Sequence, residues 1–159
     1  MPDRLASFAS LDTPIGRLWL SGTDAGLLLI TRSEGPEPHL AELAARRYGP
    51  IADQAALRQP LGQLDAYFRG ALRWFDVPLD LRGIATFDAS AYWAAMEIPY
   101  GETASYGEVA GMTGSPRAAR AVGRAMARCP LTLTVMALRQ IYRVTSQSDQ
   151  TWMSCSHRY

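Results

Sequence analysis

Apolar residues gather in three short runs near the start of the chain, Ala6–Leu11, Gly16–Ser21 and Leu27–Thr31. Turn-forming residues separate them: Asp12-Thr13-Pro14, then Thr23-Asp24-Ala25-Gly26. An antiparallel meander is predicted. Pro36 and Pro38 then break the chain before a predicted helix, Leu40–Tyr48. Leu61, Leu64, Tyr67 and Phe68 recur at helical spacing, so Pro60–Arg69 is predicted as a second helix, stopped by Gly70. Trp74–Leu81 reads as a strand that Pro78 confines to an edge. The pattern changes near residue 85 and is helical afterwards, which places a domain boundary between residues 84 and 85.

The second part opens with a predicted helix, Asp88–Ile98, stopped by Pro99-Tyr100-Gly101. Ser105-Tyr106-Gly107-Glu108 fits a capping box, in which a serine caps a helix and a glutamate three residues on bonds back. That short helix runs to about Met112 and turns at Thr113-Gly114. Ser115 is a good N-cap for the next helix, with Pro116 at its first position, where a missing N–H costs nothing. Helix, short glycine-containing turn, helix is the helix-turn-helix pattern. A continuous second helix sets Arg117, Arg120, Arg124 and Arg128 in an arc of roughly 80°. Ala121 and Ala125 flank the arc, and Ala119, Val122 and Met126 lie opposite and can pack on the domain.

Charge sharpens this picture. The formal net charge is only +1, but residues 1–108 hold nine arginines against fourteen carboxylates and residues 109–159 hold seven against one, Asp149. Only the C-terminal part is suited to a polyanion. Arginines among small residues allow a helix backbone to approach a flat, negatively charged surface such as DNA, and a solvated arginine face is the alternative. Hydrophobic residues at 48% and charged residues at 19% fit a soluble globular protein. No apolar run approaches the roughly 18 residues of a membrane span. The opening MPDRLASF has no apolar signal-peptide core, so a cytoplasmic protein is expected. Two cysteines, Cys129 and Cys155, cannot build a disulfide framework, and no His/Cys cluster has metal-ligand spacing. No cofactor or metal is expected.

Ile98-Pro99-Tyr100-Gly101-Glu102-Thr103, Ser105-Tyr106-Gly107-Glu108 and Pro116–Met126 together resemble the O6-alkylguanine-DNA alkyltransferases, the methylated-DNA–protein-cysteine methyltransferases. Weaker matches are Thr13-Pro14-Ile15-Gly16 and Leu64-Asp65-Ala66-Tyr67-Phe68, and the resemblance runs from about residue 5 to Val135. It implies an α/β protein with a small ribonuclease-H-like N-terminal domain and a C-terminal winged helix-turn-helix in the DNA minor groove. A damaged guanine would be flipped from the stack into a pocket. Arg120 would fill the vacated space, and Tyr106 would crowd the backbone beside the flipped base. The implied DNA-binding set is Tyr106, Arg117, Arg120, Ala121, Arg124 and Arg128, and the implied base pocket Tyr106, Met126 and Arg139. The implied partner is double-stranded DNA containing O6-alkylguanine, met by a monomer, with other repair proteins as further partners and no membrane.

The resemblance fails at its chemical centre. The family's Pro-Cys-His-Arg, whose thiolate takes the alkyl group once per protein molecule, falls without gaps on Met136-Ala137-Leu138-Arg139. Ala137 cannot accept an alkyl group and Leu138 cannot remove a proton, so no catalytic residue is assigned. Cys129, before Pro130, suits a buried place at a helix end. Cys155-Ser156-His157-Arg158 lies too late in the chain to match the motif. Residues 131–159 contain no glycine, where the family has a Gly-rich loop and a final helix with an orienting glutamate. A frameshifted or altered end near residue 136 accounts for so abrupt a change. Three readings follow: a lesion binder that transfers nothing, a suicide methyltransferase with an unconventional thiol, and an inactive remnant.

Overall fold

In a computed structural model the protein divides into two compact units, one up to Leu81 and one from Arg82. The structure describes residues 4–73, 75–99 and 102–131.

The first unit is built on the expected meander. Strands β1 (Arg4–Thr13), β2 (Gly16–Thr23) and β3 (Gly26–Arg32) pair antiparallel in order. Both connections are two-residue turns, closed at Thr13↔Gly16 and Thr23↔Gly26. Gly16 and Gly26 both take positive φ, 110° and 132°. At Gly26 glycine is also required by space, because a Cβ would collide with the Pro78 carbonyl. Phe8 and Trp19 stack across β1 and β2 with ring centroids 5.3 Å apart. The unbroken apolar run Leu27–Ile30 is buried throughout.

Three expectations need correcting here. The first helix, α1 (Glu37–Ala45), starts earlier than predicted, since Pro36 and Pro38 occupy its cap and first turn, where proline is tolerated. It also ends earlier. Arg47 turns the chain through a left-handed conformation, φ 65°, and Tyr48 opens a strand instead of closing a helix. That strand, β4 (Tyr48–Ile51), lies parallel to β1 and completes a sheet of order β3-β2-β1-β4. Among the described residues, the expected edge strand Trp74–Leu81 reduces to one bridge, Leu27 with Leu79, because Pro78 has no N–H and the Asp76 N–H is taken by the Gln63 side chain at 2.9 Å.

Helix α2 (Arg58–Phe68) follows a single 3-10 turn, Ala55–Leu57. Leu43 of α1, Leu57 of the turn and Leu64 of α2 are each at most 2% exposed. His39 of α1 is buried between two hydroxyls, 2.7 Å from Ser21 Oγ and 2.7 Å from Thr31 Oγ1. Burial holds its imidazole well below the ordinary value, at about 4.

The second unit consists, among the described residues, of helices α3 (Thr86–Met96), α4 (Tyr106–Met112) and α5 (Ala119–Ala127). The α3 helix begins two residues before the prediction. Asp88 therefore sits in its first turn, where a carboxylate meets the positive end of the helix, rather than at its start. Ala91, Ala95, Val109, Ala110, Val122 and Ala125 are fully buried, and such small side chains let the three helices approach closely.

Candidate nucleic-acid interface

The site is assembled around α4 and α5. The Ser105 hydroxyl accepts the Glu108 N–H at 3.2 Å, and the Glu108 carboxylate accepts the Ser105 N–H at 2.6 Å, so the predicted capping box is formed. The backbone N–H of Ser105, and then its hydroxyl, hold the Glu108 carboxyl below the usual range. At the far end of α4, Gly114 takes φ 77°. The Ser115 N–H returns to the Ala110 carbonyl and the Gly114 N–H to the Gly111 carbonyl, each at 2.9 Å. These are the two bonds of a Schellman motif, which needs a residue that tolerates the left-handed conformation.

The next helix starts later than predicted. Ser115 and Pro116 form a turn closed by the Ala118 N–H on the Ser115 carbonyl at 2.8 Å. Ala118, not Ser115, occupies the N-cap of α5, and no side chain caps it. Proline at the second position of a β-turn and proline at the first position of a helix need the same φ, so the local signal fitted both. The predicted arginine arc is consequently interrupted. Arg117 lies in the turn, Arg128 at the C-cap, and only Arg120 and Arg124 are on the helix itself, about 40° apart.

Arg117, Arg120 and Arg124 are exposed and make no ion pair among the described residues. Arg128 differs: its guanidinium pairs with Asp88 Oδ2 of α3 at 3.0 Å. Ala121 is half-buried. Ala125 is fully buried, so it belongs to the packed face instead of flanking the arginines, and Val122 and Met126 join it there. Tyr92 of α3 donates its hydroxyl to the Ala125 carbonyl at 2.9 Å. Cys129 is buried at the helix end, as expected.

Tyr106 opens α4 and is half-buried, and burial raises its phenol above the ordinary value. A Cβ added at Gly123 of α5 would lie 3.0 Å from Tyr106 Cε2 and 3.2 Å from Cδ2. Asp88, Tyr92 and Gly123 were not among the candidate site residues. Gly123 alone carried a local signal, since a glycine inside a helix costs about 1 kcal/mol relative to alanine and calls for a reason. Arg139, Ala137, Leu138 and the Cys155-Ser156-His157-Arg158 segment lie outside the described residues.

Two family profiles match. Residues 7–81 match the ribonuclease-like domain of 6-O-methylguanine DNA methyltransferase, and residues 86–155 match the DNA-binding domain of the same protein. The chain belongs to the 6-O-methylguanine DNA methyltransferase family. Its two units are thus the family's ribonuclease-like and DNA-binding domains. The second match continues beyond Val135, where the readable resemblance ended. Among curated relatives, the methylated-DNA–protein-cysteine methyltransferase of Mycobacterium leprae is 39% identical over 135 residues, covering 83% of this chain and 76% of the relative. The crystal structure of the Mycobacterium tuberculosis O6-methylguanine methyltransferase superposes with a TM-score of 0.71 at 36% identity, covering 93% of this chain and 84% of that one. The structure of Mycobacterium tuberculosis OGT in complex with DNA gives 0.68 at 38% identity, covering 86% and 78%.

Proposed function

We propose that this protein binds duplex DNA through α5 and the turn before it, and holds a flipped O6-alkylguanine without taking the alkyl group. The observation that carries the reading is the pairing of faces on one short helix. Arg120 and Arg124 stand exposed and unpaired among the described residues, while Val122, Ala125 and Met126 on the other side are buried in the domain. Arg117 extends the exposed set from the preceding turn. Residues 109–131 contain four arginines and no carboxylate. Guanidinium groups suit phosphate contacts, and small residues suit a narrow groove. The relative solved in complex with DNA supports DNA as the partner.

In this reading Arg120 occupies the space of the ejected base and Tyr106 crowds the backbone beside it. Tyr106, Met126 and Arg139 contribute to the base pocket. Ala137 at the nucleophile position leaves nothing to accept the alkyl group, so the protein is a monomeric cytoplasmic lesion binder that marks damage for other repair proteins. Titrating O6-methylguanine duplex and unmodified duplex tests this. We expect tighter binding to the lesion, reduced about tenfold by Arg120→Ala, on the scale of one good hydrogen-bonded or inserted side chain. Equal affinity for both duplexes would overturn it.

The relatives' shared name, methylated-DNA–protein-cysteine methyltransferase, favours a second reading in which a thiol of this chain accepts the alkyl group. Incubation with methyl-labelled DNA decides between them. Label on the protein, lost in Cys155→Ser, would establish transfer.

A further inference from the structure

We propose that Gly123 is a positioning residue for Tyr106: its missing side chain seats the Tyr106 ring directly on the backbone of α5, one turn from Arg120, and so sets the spacing between ring and guanidinium on which lesion recognition depends. This rests on the DNA reading above.

Gly123 has no conformational reason to be glycine. It sits inside α5 with helical backbone, where glycine is a poor choice. What surrounds it supplies the reason. The nearest atoms to its absent Cβ are three atoms of one ring: Tyr106 Cε2 at 3.0 Å, Cδ2 at 3.2 Å and Cζ at 3.9 Å. Gly62 in α2 and Gly111 in α4 have nothing within 4 Å of the same point. The contact is therefore particular to this pair of helices. Tyr106 follows directly on the Ser105 capping box, which fixes the backbone from which the ring projects. The capping box holds the backbone there, so a methyl at 123 has to shift the ring itself by a few tenths of an ångström. Arg120 lies three residues earlier, about 4.5 Å along the axis and 60° around it. Displacing the ring by a few tenths of an ångström changes its spacing from that side chain while leaving the arginines and the packed face of α5 in place.

The test combines stability and binding in Gly123→Ala, Tyr106→Ala and the double variant, with Gly62→Ala as the control for helix propensity. Gly62→Ala is expected to raise the melting temperature and leave binding unchanged. Gly123→Ala is expected to raise it less, or not at all, while the same change in the Tyr106→Ala background raises it as Gly62→Ala does. Equal shifts with and without the ring would overturn the seat. In titrations, Gly123→Ala is expected to lower the preference for O6-methylguanine duplex over unmodified duplex about tenfold, with affinity for unmodified duplex within about twofold of the parent. Full preference in Gly123→Ala alongside a discriminating parent would overturn the inference and leave the DNA reading standing. A parent that shows no preference would overturn the DNA reading, and this inference with it.

Discussion

The Tyr92 hydroxyl donates to the Ala125 carbonyl at 2.9 Å, tying the middle of α3 to the last turn of α5. Two ends of helix chemistry meet there. Carbonyls in the last turn lack the usual N–H four residues on, and here a buried phenol supplies a partner. The Arg128 N–H also reaches the same oxygen, at 3.1 Å. Tyr92→Phe therefore removes a bond without stranding the carbonyl, and we expect a loss of about 1 kcal/mol in chemical denaturation. A loss above about 3 kcal/mol would mean the hydroxyl has a larger role than this bond.

Glycines in this chain do opposite things, and alanine substitution separates them. At Gly26 the backbone is at φ 132° and a Cβ would strike the Pro78 carbonyl, so Gly26→Ala combines strain with collision. We expect a loss of at least about 2 kcal/mol. At Gly62 the backbone is helical and the space open, so Gly62→Ala should gain up to about 1 kcal/mol. Urea denaturation of the two variants beside the parent checks both signs.

What could be read in advance was what depends on neighbours in sequence. The meander was legible because Thr23-Asp24-Ala25-Gly26 states its turn locally, and the capping box because Ser105 and Glu108 are three residues apart. Strand β4 was not, since Tyr48-Gly49-Pro50-Ile51 is short and contains residues that strands avoid. It exists because β1 offers a parallel partner more than forty residues earlier. The arginines of α5 were legible as charge, but not their division into paired and unpaired. Asp88 lies 40 residues from Arg128, and nothing near either residue announces the pair.

His39 makes the first domain sensitive to acid. Folded, its imidazole is buried and titrates at about 4; unfolded, it returns to 6.5. The unfolded chain therefore binds more protons between these values, and stability rises with pH across that window. The contribution is complete above 6.5 and is lost as pH falls toward 4, on the order of 3 kcal/mol in all. Replacing His39 by Gln should lower stability at neutral pH and flatten its decline on acidification. A parent and a His39→Gln variant that lose stability in parallel between about pH 7 and about pH 5 would refute this.

The division among the arginines predicts unequal dependence on salt. Each phosphate contact removed lowers the slope of log affinity against log salt by about 0.9 on duplex DNA. Arg117→Ala, Arg120→Ala and Arg124→Ala each remove a cation that is exposed and unpaired among the described residues. Arg128→Ala removes one whose guanidinium already faces a carboxylate only 14% exposed, so part of its field is spent before any phosphate arrives. We expect a slope change near the full value for Arg117 and Arg124, and for Arg120 if it touches phosphate rather than filling the stack. For Arg128 we expect less than half of it. Asp88→Asn provides the control: it frees Arg128 and should raise affinity for unmodified duplex, more at low salt than at high. Were Arg128→Ala to weaken binding as steeply as Arg124→Ala, and Asp88→Asn to change nothing, the ion pair would not compete with DNA, and all four guanidinium groups rather than three would meet the duplex.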